Sequence, residues 1–327
     1  MPQPTQSQVH VDQLLTNVLV GFKNAAYIAD DAAPILPVDK QTNLIARVNQ
    51  SAFFRDDARQ RAAGTRSNRS GFTVDNTMSY FCPRFSLGHE IPDEVRDNTD
   101  QPYDMDRESA FFVANALQLA RERMFAANMF VATPWTTNKT AGTDFNQWSN
   151  YAGSTPLEDV TQWKDQIEGL IGIEANQMIL GKQVWTGSGG LANGQGLKWH
   201  PELIDTVKYT QRGQLSLDVV SSLFELDRIL LGRAIFTSTV EGVAESAVTY
   251  SRIFGKNGLI FYNPPGPSIF KPMAMMTIVW QRVASAIQYI KRFRDEQGEF
   301  DVIEGNSYFV HKAIVANAGI FITNAVA

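Results

Sequence analysis

The sequence predicts an α+β fold, and three stretches carry that expectation. Residues 105–133 form one uninterrupted helical run without glycine or proline, closed by Pro134. Short apolar strands separated by turns and short helices fill 175–283, the texture of a compact mixed α/β unit. Alternating patterns flank a polar, arginine-rich loop within 42–85 and return from 284 to the end, which calls for strands that pair without intervening helices.

The chain opens with an arm. Within 9–38, Leu14, Leu15, Val18, Leu19 and Phe22 are spaced for one short amphipathic helix, after which Pro34 and Pro37 force an extended path. Such an arm has little core of its own, so it is expected to lie against another part of the chain or another copy. A strand is expected over 42–48 and a longer one over 72–85, through Val74, Met78, Tyr80 and Cys82. The segment between them carries Arg55, Arg59, Arg61, Arg66 and Arg69 with almost no aliphatic residue. A two-stranded hairpin of this reach is marginal alone in water. It reads either as a solvated surface loop or as an extended arm docking on a neighbouring subunit through its arginines. The second is favoured, because long structureless loops are uncommon and usually functional. The candidate intersubunit contacts are these five arginines together with Phe53 and Phe54.

Residues 91–103, with Pro92 and Pro102, lead into the long helix. Asp104 is its expected N-cap, and Asp106 and Glu108 put carboxylates in the first turn, where the helix dipole favours them. Ala110, Val113, Leu117, Ala120, Met124, Ala127 and Val131 recur at three and four by turns, an apolar stripe opposite Arg107, Asn115, Gln118 and Glu122. At 1.5 Å per residue the helix would be roughly 40 Å long, a spine for the rest of the chain. A polar loop follows to 151, and Thr155-Pro156 opens a second helix with Val160, Trp163, Ile167, Leu170 and Ile171. Beyond it, Met178-Ile179-Leu180 with Val184-Trp185 reads as one strand, 187–196 as a flexible glycine loop, and Pro201 as the start of a short helix. Another short helix is expected over 215–226, with strands over 228–239, 258–262 and 273–280. In the last part, strands around Ile287–Phe293 and Phe300–Ile303 are followed by a turn at Gly305-Asn306, and then by apolar residues through Ile320, Phe321 and Ile322.

The chain has 327 residues, 44% hydrophobic and 19% charged, which is enough for a sizeable core in two subdomains. Its net charge of -5 argues against a protein that grips nucleic acid through phosphates. One cysteine, Cys82, leaves no internal disulfide and fits a reducing cytoplasm. No apolar run is long enough to cross a bilayer, and the N-terminus lacks the basic and apolar regions of a signal peptide, so no membrane association or secretion is expected.

Nothing in the sequence assembles an active site. The loop at 187–196 has neither the Gly-Lys-Ser/Thr ending nor the Gly-x-Gly-x-x-Gly fingerprint of a phosphate cradle. His10, His89, His200 and His311 have no metal-site spacing, and His89-Glu90 lacks a third ligand nearby. Asp56-Asp57 sits among arginines and Asp104/Asp106 at a helix start, each a sufficient structural reason for paired carboxylates. Cys82, in an alternating strand, reads as a packing residue. No catalytic residue, cofactor or metal is expected.

The order of elements, from arm through arginine-tipped hairpin, spine helix and α/β unit to returning strands, resembles the major capsid proteins of tailed bacteriophages with the Hong Kong 97-type fold. Asn176-Gln177-Met178-Ile179-Leu180-Gly181, Val184-Trp185 and the run from His200 to Tyr209 look like the opening of that family's axial domain, and Ala316 to Ile322 is similar to its closing peripheral strand. The resemblance implies an N-terminal arm over 1–42, an extended loop (E-loop) over 43–85 and a peripheral domain with the spine helix over 86–171. An axial domain over 172–283 and peripheral return strands over 284–327 follow. It implies a non-catalytic shell protein of the virion, assembled in the host cytoplasm as hexamers and pentamers around double-stranded DNA without sequence-specific binding. The implied partners are a scaffolding protein, a portal and a decoration or cement protein. Because the chain starts almost at its arm, either scaffolding comes from a separate protein or the numbering begins after trimming, and the initial methionine favours the first. Some relatives crosslink through a loop lysine, but no lysine stands between Gln41 and Asn138, so covalent chainmail through this loop is not expected. The rival reading is an oligomeric cytoplasmic α/β enzyme whose hairpin is an exchanged arm.

Overall fold

A computed structural model describes residues 26–48, 50–52, 54–98, 104–187, 195–208, 215–240, 242–266, 271–282 and 287–327. The amphipathic segment from Leu14 to Phe22 and most of the glycine loop at 187–196 lie outside the described residues.

The spine helix spans Met105–Met129, ending at Phe130 rather than at 133. Asp104 caps it as expected, its side chain accepting from the backbone N–H groups of Asp106 and Arg107. Its buried side differs from the sequence stripe in an instructive way. A stripe stepping three and four by turns averages 3.5 residues, whereas a straight helix turns every 3.6, a slip of roughly 20° per heptad. Ala110, Val113 and Leu117 are therefore buried, but Ala127 is exposed and Met124 only half-buried. The buried seam passes instead through Ala114, Arg121, Phe125 and Met129, and Glu122, expected on the polar side, is buried with it.

The spine lies on a five-stranded sheet. This sheet contains β1 (Ile35–Val38), β4 (Arg84–Pro92), β11 (Met275–Trp280), β12 (Gln288–Asp295) and β13 (Phe300–Ala313). β13 is its axis: the first part pairs antiparallel with both β4 and β12, and the last five residues pair with β11. β1, in the arm, adds parallel to β11. The expected turn at Gly305-Asn306 does not exist, since both residues lie inside β13, Gly305 opposite Ile290 and Leu87. A second sheet runs in the order β5 (Thr137–Thr140), β14 (Gly319–Thr323), β10 (Gly258–Phe261), β6 (Gln177–Gly181), β7 (Arg228–Gly232). The helix Pro156–Ile171 covers its β10 and β14 part. Val160, Trp163, Ile167 and Ile171 are buried there, whereas Leu170 is exposed. Trp148 stacks on Trp163 with ring centroids 5.9 Å apart and donates to Asp159 at 3.0 Å.

Sheet membership thus crosses the expected segment bounds. β11, from the 172–283 stretch, sits in the first sheet with β12 and β13, and β14, from the 284–327 stretch, sits in the second sheet with β6, β7 and β10. Two expected strands also divide. The 72–85 run breaks at Cys82-Pro83 into β3 (Val74–Phe81) and β4, because proline brings no N–H to the ladder and the chain changes sheets there. The 228–239 run breaks into β7 and β8 (Ile235–Thr237), the latter forming a hairpin with β9 (Tyr250–Arg252). Val184 and Trp185 lie in the helical turn Lys182–Thr186 rather than in a strand with Met178.

Candidate assembly surfaces

The arginine-tipped hairpin is a two-stranded ribbon, β2 (Thr42–Val48) against β3, paired from Thr42 with Phe81 to Val48 with Val74. Its base is built in. Tyr80 and Cys82 are buried in a cluster with Met273, Met276, Ile278 and Tyr308, and the Tyr80 hydroxyl donates to the Lys40 carbonyl at 3.1 Å. Arg47 donates to Asp75 at 2.8 Å and to the Ile314 carbonyl at 3.0 Å, fastening the ribbon to the end of β13. Hydrogen bonds from the Thr77 hydroxyl and N–H, then from Arg47, hold the Asp75 carboxyl down at about 2.

Beyond the ribbon, support ends. Residues 55–73 have no helix or strand. The tip is closed by Asn68 donating to the Asp57 carbonyl at 2.8 Å and by a Ser70–Asp57 hydrogen bond. Arg55, Arg59, Arg61, Arg66 and Arg69 are all exposed, and among the described residues none has a carboxylate within ion-pair distance. Phe54 is 64% exposed, with its ring edge over Gly172 at the end of the helix Pro156–Ile171. Phe53 lies outside the described residues. Phe81 on the ribbon and Phe72 just before it add exposed aromatic surface.

A second junction, absent from the sequence reading, joins arm to spine. Glu122 accepts the N–H of Ile28 at 3.0 Å and of Ala29 at 2.9 Å, capping the one-turn helix Ala29–Ala32. Arg121 reaches Asp30 at 2.7 Å and lies over the Phe309 ring at 5.5 Å. His311 faces them from β13, its Nδ1 2.9 Å from the Thr277 hydroxyl. Burial pushes Glu122 up to about 7 and His311 down to about 3. The 3.6-residue seam was the signal that would have found this pair.

His10 lies outside the described residues, and several of the other candidate polar side chains are in structural use. Asp106 pairs with Arg96 at 2.9 Å and with Arg292 at 3.1 Å. His89 Nδ1 is 3.0 Å from the Ser109 hydroxyl. His200 Nε2 lies 2.9 Å from the Ser154 hydroxyl, and Glu202 is 3.9 Å from Nδ1. Ser154 and His200 are buried, however, and the Ser154 hydroxyl donates to the Asn150 carbonyl at 2.7 Å, so the group pins a loop to a helix start. Cys82 is fully buried, and burial pushes its thiol up to about 11. Among the described residues no group of three or more metal-ligating side chains occurs, and no helix is long and apolar enough to cross a membrane.

No protein-family model matches the chain. Among curated proteins it is similar to the major capsid protein of Burkholderia phage BcepMu, 27% identical over 259 residues, 78% of this chain and 76% of the relative. Among solved structures, a phage-related protein from Bordetella bronchiseptica is similar with a TM-score of 0.71 at 20% identity, covering 97% of this chain and 98% of that one. The capsid structure of Cyanophage P-SCSP1u gives a TM-score of 0.58 at 11% identity, covering 99% and 92%. The two structures speak for the fold, and the sequence relative for the role.

Proposed function

We propose, from the premise that this chain is a tailed-phage major capsid protein with the Hong Kong 97-type fold, that its long hairpin clasps neighbouring subunits of the icosahedral shell it builds. The observation that supports this is the unsupported tip: five exposed arginines without intrachain carboxylate partners among the described residues, on a ribbon whose base alone is buried. An exposed ion pair contributes only about 0.2–1 kcal/mol. Repeated at every subunit contact of a closed shell, such weak pairs act together. Phe53 and Phe54 belong to the same contact, as apolar anchors beside the charged tip.

Within this reading the segments are an arm over 1–42, the E-loop over 43–85, a peripheral domain over 86–171 and 284–327, and an axial domain over 172–283. Hexamers and pentamers assemble in the host cytoplasm with a scaffolding protein and a portal, and a decoration or cement protein is a further partner. The shell encloses double-stranded DNA without reading its sequence, in keeping with the net charge of -5. No catalysis, cofactor or metal is part of the proposal.

The test is the double substitution Arg59→Glu/Arg61→Glu. It should abolish shells, seen by negative-stain imaging and sedimentation, while circular dichroism stays native because both side chains are exposed. Shells of normal yield from this variant would remove the loop from the contact. A small closed oligomer from the unmodified chain would instead favour an enzyme-like assembly with an exchanged arm.

A further inference from the structure

We propose that a basic cluster at the β7 edge of the second sheet, Lys182, Lys198, Arg233 and Arg252, docks on the acidic outer face of the helix Pro156–Ile171 in an adjacent copy. The proposal rests on the shell-building reading and adds a contact independent of the hairpin tip. The topology brings the four cations together. β6 and β7 are parallel, with Gly181 opposite Gly232, so Lys182 and Arg233 leave the sheet side by side. Ile235 pairs with Arg252, and the Ile253 N–H donates to the Ala234 carbonyl at 3.1 Å, bringing Arg252 back to the same place. Lys198 belongs to the 3₁₀ turn Leu197–Trp199, which packs on the helical turn Lys182–Thr186.

Among the described residues no carboxylate lies within ion-pair distance of any of the four. In a chain of net charge -5 this like-charged group is held by a stiff frame. A β-carbon on Gly181 would stand 2.0 Å from the Gly255 carbonyl oxygen, and Arg123 of the spine lies over the Phe236 ring at 4.5 Å. Burial, then the charges of Arg233, Arg252 and Lys198, lower the Lys182 ammonium below its usual range. The rim is apolar, with Trp199, Ile235 and Tyr250 each about half exposed. Arginine beside exposed aromatic and aliphatic side chains is the composition of a protein contact.

The matching surface is on the same chain. Glu158, Asp165 and Glu168 are exposed at spacings of seven and three, one face of a helix. This helix covers the β10 and β14 part of the sheet, away from the β7 edge. Two complementary patches at different places on one subunit make a heterologous contact, the kind that closes into rings. Phosphate binding is the other use of such cations, but it does not account for the exposed isoleucine or for the exposed acids of the helix.

The experiment compares assembly of the full chain with Arg233→Glu/Arg252→Glu, with Asp165→Lys/Glu168→Lys, and with all four changes together. Each pair alone should lower the sedimenting shell fraction about tenfold or more, and the combination should restore most of it, as expected for directly coupled sites. Circular dichroism reports folding. The milder Arg252→Gln, at an exposed position, should assemble with a shallower salt dependence than the unmodified chain. Folded variants that assemble normally, or a combination no better than its parts, overturn the proposal. So do shells of normal yield that retain less DNA, which would place the cluster against nucleic acid. Loss of shells from the unmodified chain would count against the shell reading itself.

Discussion

Gly305 lies in the middle of β13 directly beneath Val113 of the spine helix, so close that a β-carbon on the glycine would stand 2.4 Å from Val113 Cγ1. The same atom would be 2.8 Å from Leu117 Cδ1. Gly305 is therefore present for close approach of helix to sheet, not for a turn. Ile91, Ala110, Ala114, Ile290 and Ile303 complete this tight layer.

Gly305→Ala should accordingly destabilise the subunit by about 1–3 kcal/mol, the usual cost of overpacking a core. Denaturant unfolding of unassembled protein measures this, and Val113→Ala in the same chain should recover part of it. An unchanged midpoint would mean that the helix can lift off the sheet at little cost.

Glu122 should make stability fall with rising pH. Below its unfolded value near 4.5 it is protonated in both states, so its full contribution to stability is present. Between 4.5 and about 7 the unfolded chain ionises while the native side chain keeps its proton, and stability is lost up to the native value. The whole effect is on the order of 3 kcal/mol. His311, lowered from 6.5 to about 3, acts with the opposite sign and loses its contribution as the solution is acidified. The difference between the unmodified chain and Glu122→Gln isolates the glutamate. Thermal melts from pH 5 to 8 should show a steeper decline for the unmodified chain; parallel curves would show that Glu122 does not titrate there.

Mature shells should be held without covalent links. No lysine stands between Gln41 and Asn138, and the Cys82 thiol is buried and raised to about 11. Boiled in denaturant without reductant, shells should run as one band near 36.4 kDa, and Cys82 should resist iodoacetamide until the protein unfolds. A ladder of multimers would reveal another crosslinking pair.

The sequence alone determined the elements whose cause is local. Asp104 before an unbroken helical run marks the spine's start, since capping and dipole need only neighbouring residues. Pro156, at the first position of the second helix, likewise marks its start, although the Thr155 side chain makes no capping hydrogen bond there. The five arginines with almost no aliphatic residue among them announced an exposed tip for the same reason. What the sequence left open depends on partners far along the chain. Gly305 looks like a turn residue until the spine is laid on it, and β11 and β14 trade sheets because strand pairing joins residues with no local mark of their partner. Glu122 reads as solvent-facing until the 3.6-residue helix rotates it beneath the arm, where two backbone N–H groups offset the cost of burying its carboxyl. Tertiary structure alone decided these, because the energy of a close approach or a buried carboxyl exists only once both surfaces have met.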